Sequence, residues 1–209
     1  MSITQPIRNP EQLSEFRNFY LASNERNYAL IVIGLNTALR ISDVLGLKWG
    51  DVYSKHSFKE HVVVREKKTG KENIIRFNRS CTDALDLYRR KTVEAYASLN
   101  NRLNILYNEA DLDRYLNDRY IFESPRVPGQ PLSRQQAFRI IKKAACDIGI
   151  EGTISCHSLR KTFGYHAWNK GCPPALLMNI YNHSSYEITK RYLCIDQDER
   201  DEICMKNEL

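Results

Sequence analysis

The apolar residues of this chain follow a helical period almost throughout, and the period changes to that of β-strands only once. Residues 25–38 carry apolar side chains at helical spacing and are predicted to form a helix. After Trp49 two short β-branched segments, 61–65 and 73–77, flank a Lys-Thr-Gly-Lys turn at 68–71. These segments predict a β-hairpin. The expected fold is mainly α with a small antiparallel β-sheet, an α+β fold.

Local end signals place the other helices. Asn9 followed by Pro10 is typical of a helix start. Ser133 and Gln136 resemble a capping box, and Ser42 is expected to cap a short helical turn. The remaining helices are predicted over residues 11–22, 42–45, 82–117 with a break near 100–101, 133–148, 158–169, 174–181 and 186–193, with a final helix at about 196–209.

The formal net charge of +6 favours a polyanionic partner, although a merely basic protein also fits that charge. The longest apolar run, 28–35, is too short to span a bilayer, and the N-terminus lacks a signal-peptide pattern. We therefore expect a cytoplasmic protein without a membrane partner. The six cysteines show neither CxxC pairing nor zinc-type spacing, which predicts reduced thiols and no metal or cofactor.

Two segments in the first half of the chain carry candidate cationic groups. Arg40 is predicted at a helix end, where it could bind a phosphate while Asp43 holds it. A local Arg40–Asp43 ion pair with no further role fits equally well. Lys68 lies at the hairpin tip, from which an ammonium group could reach a phosphodiester. Three lysines on one turn are, however, more typical of a solvated loop.

Two segments in the second half add histidines, an arginine and a tyrosine. His157 and Arg160 are three residues apart at a predicted helix start, so both face one side, where the helix dipole favours an oxyanion. A core histidine beside a surface arginine is the alternative. His183 precedes Tyr192 by a turn and a short helix. Tyr192 alone, one of twelve tyrosines, would be interpreted as a packing residue.

The four segments together resemble the tyrosine recombinase (phage integrase) family, from about residue 9 to residue 195. The matching motifs occur in the family's order: ALRISDVL at 38–45, KTGK at 68–71, HSLR at 157–160, and HSS at 183–185 with RYL at 191–193. Two positions depart from the family pattern. Asn182 stands where glycine is usual, and Asp43 stands where glutamate is commoner.

The resemblance implies a role for each candidate. Arg40 and Arg160 correspond to the two arginines that bind the scissile phosphate. Lys68 corresponds to the general acid on the hairpin. His157 corresponds to the histidine that helps to move the proton of the nucleophile, and His183 to the histidine that hydrogen-bonds the phosphate.

Tyr192 matches the nucleophile. The implied reaction is site-specific DNA recombination through a 3′-phosphotyrosine intermediate, without a metal ion or ATP. The implied partners are double-stranded DNA and further copies of the chain, as a homo-tetramer on paired sites, and the implied location is the nucleoid. Two alternatives are DNA relaxation of the type IB topoisomerase kind and a catalytically silent DNA-binding accessory protein.

The expected organisation is a single catalytic domain over residues 1–209, without the separate N-terminal core-binding domain that most integrases carry. A short family member and a fragment of a longer recombinase both fit this expectation. The tail at 196–209 could pack on its own domain or on a neighbouring protomer.

Overall fold

The computed structural model describes residues 4–102, 109–195, 201 and 204–207. These residues confirm a mainly helical fold, with two separate two-stranded antiparallel sheets, one formed by residues 53–54 and 57–58 and the other by residues 61–65 and 72–76. The elements in chain order are α1 (Pro10–Asn18), α2 (Glu25–Asn36), α3 (Ile41–Val44), α4 (Trp49–Val52), β1 (Tyr53–Ser54), β2 (Ser57–Phe58), β3 (His61–Arg65), β4 (Glu72–Arg76), α5 (Arg79–Arg102), α6 (Glu109–Asn117), α7 (Arg134–Ile148), α8 (Cys156–Asn169), α9 (Pro174–Tyr181) and α10 (Tyr186–Leu193).

The predicted hairpin is confirmed, and α9 and α10 have the predicted bounds. Strands β3 and β4 pair antiparallel with Val62 opposite Ile75, and Gly70 turns the chain between them with φ of 70°. The short elements α4, β1 and β2 were not predicted. Helix α1 ends four residues earlier than expected, and α8 begins two residues earlier. Most of the tail helix predicted at 196–209 lies outside the described residues.

Helix α2 forms the centre of the main core. Every residue from 27 to 35 is buried, and the helix packs against α1, α5 and α8. Gly34 allows the close approach to α8, because a Cβ atom there would collide with the side chain of Leu159. The described helices include none that is long and apolar enough to cross a membrane.

A second, smaller apolar cluster holds the last two helices against α8. Its buried members are Ala38, Leu177, Tyr181, Leu193 and Ile195. Gly164 on α8 faces this cluster, and a Cβ atom there would meet both the Tyr181 hydroxyl and Leu193. The close packing holds α9 and α10 beside the middle of α8, and this brings His183 and Tyr192 close to Arg160, one helical turn before Gly164.

Candidate active site

Four of the six predicted catalytic residues line one cleft of about 450 Å³ between α3, the β3–β4 turn, α7 and α8. They are Arg40, Lys68, His157 and Arg160. The other two, His183 and Tyr192, lie beside this cleft, where both experience the charges of Arg40 and Arg160. The structure therefore brings together side chains that are up to 152 positions apart in the sequence, from Arg40 to Tyr192.

Arg160 is almost completely buried, with 4% of its surface exposed. Its Nη1 donates to the carbonyl oxygen of Ala38, and its Nη2 lies 3.5 Å from the carbonyl oxygen of Tyr181. The guanidinium carbon lies 4.6 Å from the centroid of the Tyr181 ring. Burial lowers the pKa of Arg160, yet an arginine keeps its charge in proteins. These contacts hold the positively charged guanidinium group of Arg160 in a fixed orientation.

Ala38 adopts a left-handed backbone conformation, with φ of 53°, between α2 and α3. This conformation is costly for a residue with a Cβ atom and is concentrated at functional sites. In the linker between α2 and α3, the carbonyl oxygen of Ala38 accepts from Arg160, and Arg40, two residues later, occupies the N-cap position of α3.

Arg40 forms its ion pair with Glu66, with 2.7 Å between Nη1 and Oε2. The prediction that Asp43 holds Arg40 was wrong. Arg40 has extended backbone angles ahead of α3, so the pair lacks the side-by-side geometry of residues three apart within a helix. Asp43 instead accepts from the backbone N–H of Lys67 at 3.0 Å. Ser42 lies inside α3 and does not cap it, because Arg40 occupies the N-cap position.

Lys68 is exposed at the tip of the β3–β4 hairpin and lines the cleft together with Lys67. The tip is tied to the rest of the site at two points. One is the hydrogen bond from the N–H of Lys67 to Asp43, and the other is the Arg40–Glu66 ion pair. Within the turn, Thr69 Oγ1 donates to Glu66 Oε2 at 2.7 Å. The side chain of Lys68 is thus presented from an anchored turn.

His157 lies in the first turn of α8, whose N-terminus is capped by Ser155 and Ser158. Its pKa is lowered by partial burial and by the surrounding positive charges, of which Arg134 contributes most. At neutral pH the imidazole is therefore neutral and able to accept a proton.

His183 and Tyr192 contact each other, with ring centroids 5.3 Å apart. The Nδ1 atom of His183 lies 3.0 Å from Thr189 Oγ1, which fixes the orientation of the ring. Burial raises the pKa of Tyr192, and a hydrogen bond with Arg160 and the charges of both arginines act against this rise. The phenol is therefore neutral at neutral pH and lies beside the buried guanidinium.

Sequence reasoning missed three residues of this site. Glu66 is 1% exposed and continues the alternation that buries Val62 and Val64, so the period of β3 could have placed it on the inner face. The ring of buried Tyr181 contacts both the Arg160 guanidinium and the His183 ring, and buried Lys161 places its Nζ 5.2 Å from the Tyr192 ring centroid. The positions of these two depend on tertiary packing, for which the sequence carries no local signal.

No three His, Cys, Asp or Glu side chains gather into a metal-binding cluster among the described residues, and the six cysteines are free.

The lowered pKa values of His157 and His183 predict that stability falls in mild acid. The unfolded chain binds protons on these histidines below about pH 6.5, whereas the folded chain takes them up only at lower pH. The free energy of unfolding should therefore decrease as pH falls through this window. Urea unfolding between about pH 7.5 and about pH 5.5 measures the slope. The double variant His157→Gln/His183→Gln should show a shallower slope, and an unchanged slope would contradict the assignment.

The model of the phage integrase family matches residues 9–199, and the chain belongs to this family. It is 37% identical over 198 residues to the probable integrase/recombinase YoeC of Bacillus subtilis (strain 168), covering 95% of this chain and 93% of that protein. It is 28% identical to the tyrosine recombinase XerD of Mycobacterium leprae (strain TN), covering 81% of this chain and 48% of XerD. The chain thus spans about half the length of that recombinase.

Solved structures confirm the fold. The XerH site-specific recombinase bound to palindromic difH substrate, in a post-cleavage complex, superposes with a TM-score of 0.68. The two sequences are 16% identical, and the match covers 98% of this chain and 53% of XerH. The chain therefore has the fold of a tyrosine recombinase catalytic domain.

Proposed function

We propose that this recombinase cleaves one DNA strand by attack of the Tyr192 phenol on the scissile phosphate. The new bond joins the phenolic oxygen to phosphorus, and the bond to the 5′ oxygen breaks. The products are a 3′-phosphotyrosine and a free 5′ hydroxyl. A 5′ hydroxyl from a partner strand reverses the step and rejoins the DNA. The observation that carries this proposal is the phenol of Tyr192 beside Arg160, next to a cleft that also holds Arg40, Lys68 and His157.

The two arginines supply the binding site for the phosphate. Negative charge builds on the non-bridging oxygens during the transfer, and guanidinium groups stabilise it without a metal ion. Arg160 is fixed by the carbonyl groups of Ala38 and Tyr181, and Arg40 is fixed by Glu66. This fixed arrangement avoids reorganisation of the site during the reaction.

Two proton transfers accompany the exchange. The phenol of Tyr192 is protonated in the free protein, so it must lose a proton during attack, and the neutral imidazole of His157 can accept it. The leaving 5′ oxygen needs a proton, which Lys68 on the anchored hairpin tip can donate. Both transfers use side chains of this chain, and the energy of the phosphodiester is retained in the phosphotyrosine bond.

His183 is proposed to hydrogen-bond the same phosphate. Its Nδ1 faces Thr189, which leaves Nε2 for the substrate. A phosphate anion favours the protonated imidazole, and Nε2 can then act as a donor.

We also propose that the chain acts on double-stranded DNA in the nucleoid as a homo-tetramer on paired sites. Exchange between two duplexes requires four strand cleavages, and each subunit holds one nucleophile. The net charge of +6 fits a DNA partner. XerH, which has the same fold, is bound to a palindromic difH substrate in its post-cleavage complex, and this supports action on paired sites by this chain.

A pool of random-sequence duplexes, each nicked in one strand, tests the proposed reaction. Cleavage releases a short 5′-hydroxyl fragment that diffuses away, so the covalent protein–DNA adduct accumulates. We expect the adduct to form in excess EDTA without ATP, and mass spectrometry of the DNA-linked peptide should identify Tyr192. Linkage through another residue, or a strict requirement for a divalent ion, would contradict the proposal.

A further inference from the structure

Glu66 is a buried carboxylate that contacts two parts of the cleft through one oxygen atom. Its Oε2 accepts from Arg40 Nη1 at 2.7 Å and from Thr69 Oγ1 at 2.7 Å. Arg40 belongs to the phosphate-binding pair, and Thr69 directly follows Lys68 in the hairpin turn. This atom is one connection, beside the Asp43–Lys67 hydrogen bond, between the proposed phosphate site and the turn that carries the proposed general acid.

The backbone of Glu66 also closes this turn. Its N–H donates to the carbonyl oxygen of Lys71 at 2.9 Å, and its carbonyl oxygen accepts from the N–H of Gly70 at 2.8 Å. The residue thus organises the turn through its backbone and links it to α3 through its side chain.

Electrostatics keep Glu66 ionised. Burial alone would raise its pKa, but hydrogen bonds from Thr69 and Arg40 and the charges of Arg40 and Arg160 outweigh burial, so the pKa lies below its usual value. Its second oxygen, Oε1, is buried and has no hydrogen-bond partner among the described residues. Because an unpaired buried carboxylate oxygen is costly, the strong bonds at Oε2 must hold the group in place.

We propose that Glu66 is a positioning residue, which couples Arg40 to the turn through Thr69 and so places Lys68 to protonate the leaving 5′ oxygen. This role rests on the proposed function. When Arg40 binds the scissile phosphate, the bridge through Oε2 fixes the position of the turn relative to that phosphate. Loss of the Thr69 hydroxyl would leave the Arg40–Glu66 ion pair and the backbone hydrogen bonds of Glu66 in place. It would remove the side-chain contact that ties residue 69, next to Lys68, to Glu66 Oε2.

Two substrates separate an effect on Lys68 from an effect on phosphate binding. Both use a nicked duplex selected from the random pool, and one carries sulfur in place of the bridging 5′ oxygen at the scissile phosphate. A thiol, with a pKa of about 8.5, leaves without protonation far more readily than an alcohol does. A misplaced general acid therefore slows cleavage of the oxygen substrate and spares the sulfur substrate. A damaged phosphate site slows cleavage of both.

The decisive variant is Thr69→Val, with single-turnover cleavage as the measurement. We expect about tenfold or greater slowing on the oxygen substrate and near wild-type rates on the sulfur substrate, since general acid catalysis contributes factors of roughly 10²–10⁴. Thr69→Ser, which restores the hydroxyl, should recover the rate on the oxygen substrate. Thr82→Val is a matched control, because Thr82 also donates one local hydrogen bond, to Arg79 in α5, outside the cleft.

Three outcomes would overturn the role of Glu66 as a positioning residue. They are unchanged cleavage of both substrates by Thr69→Val, equal slowing on both substrates, and failure of Thr69→Ser to recover. A wild-type protein that forms no adduct on either substrate would instead remove the proposed function, and the role of Glu66 with it. The two failures are thus distinguished by the wild-type reaction alone.

Discussion

Replacing Tyr192 with phenylalanine should abolish the covalent adduct with DNA, a loss of about 10⁴-fold or more, while DNA binding stays close to wild type. The substitution removes only the attacking oxygen. The ring remains in its contacts with Tyr181 and His183, with centroids 5.4 Å and 5.3 Å away. A gel-shift measurement of binding and a denaturing gel for the adduct separate the two effects. A gel-stable adduct formed by Tyr192→Phe would remove this tyrosine from its role.

The structure provides a matched control for this variant in Tyr181, the other tyrosine beside Arg160. Its hydroxyl donates to the carbonyl oxygen of Arg160 at 2.7 Å, and burial raises its pKa far above the usual range. It is therefore held away from reaction. Tyr181→Phe should still form the adduct, with a loss of about 1 kcal/mol of stability for one buried hydrogen bond.

Replacing Arg160 with alanine is expected to slow strand cleavage by on the order of a hundredfold or more, as for the loss of an oxyanion-stabilising donor. The guanidinium is buried and held in one orientation by two carbonyl groups, so its removal takes away a positive charge that is fixed in position. Single-turnover cleavage of a nicked duplex measures the loss. Near-normal cleavage by a folded Arg160→Ala protein would contradict the proposed phosphate site.

Arg160 also supports the fold, so its variants need a check on stability. Thermal melting of Arg160→Ala shows whether the protein is still folded at the assay temperature. Arg160→Lys keeps the charge without the two-pronged geometry and should also be slow, because a lysine cannot bind a phosphate in the bidentate manner. Arg90→Ala removes an exposed arginine that pairs with Asp86 on α5, and it should cleave like wild type.

The sequence predicted those parts of the fold that depend on local chemistry. The hairpin followed from β-branched residues around a Lys-Thr-Gly-Lys turn, and its register places Val62 and Val64 in the core. The predicted bounds of α10 are confirmed, and the structure shows that Ser185 caps its N-terminus by accepting from the N–H of Ile188. Four of the predicted residues meet in one cleft because the linker before α3, the β3–β4 turn and the first turns of α8 come together there.

Side-chain pairs between residues far apart in the sequence could not be predicted from local sequence patterns. The partner of Arg40 was assigned to Asp43, three residues away, and the structure shows Glu66, 26 positions away in the sequence. Such pairs depend on how α3 packs against the hairpin, and hydrophobic periodicity predicts the elements but not their relative placement. The orientation of Tyr192 towards Arg160 likewise depends on the close approach of α8 and α10 at Gly164.

The left-handed turn at Ala38 has a consequence for how this site can vary. The carbonyl oxygen of Ala38 accepts a hydrogen bond from Arg160, which is 122 positions away in the sequence. Arg40 follows Ala38 by two residues in the same linker between α2 and α3. The spacing between the Ala38 carbonyl, which positions Arg160, and the Arg40 side chain is therefore set by the two residues of backbone that connect them. Inserting or deleting one residue between Asn36 and Arg40 would shift the guanidinium of Arg40 relative to that of Arg160, even if both side chains were retained.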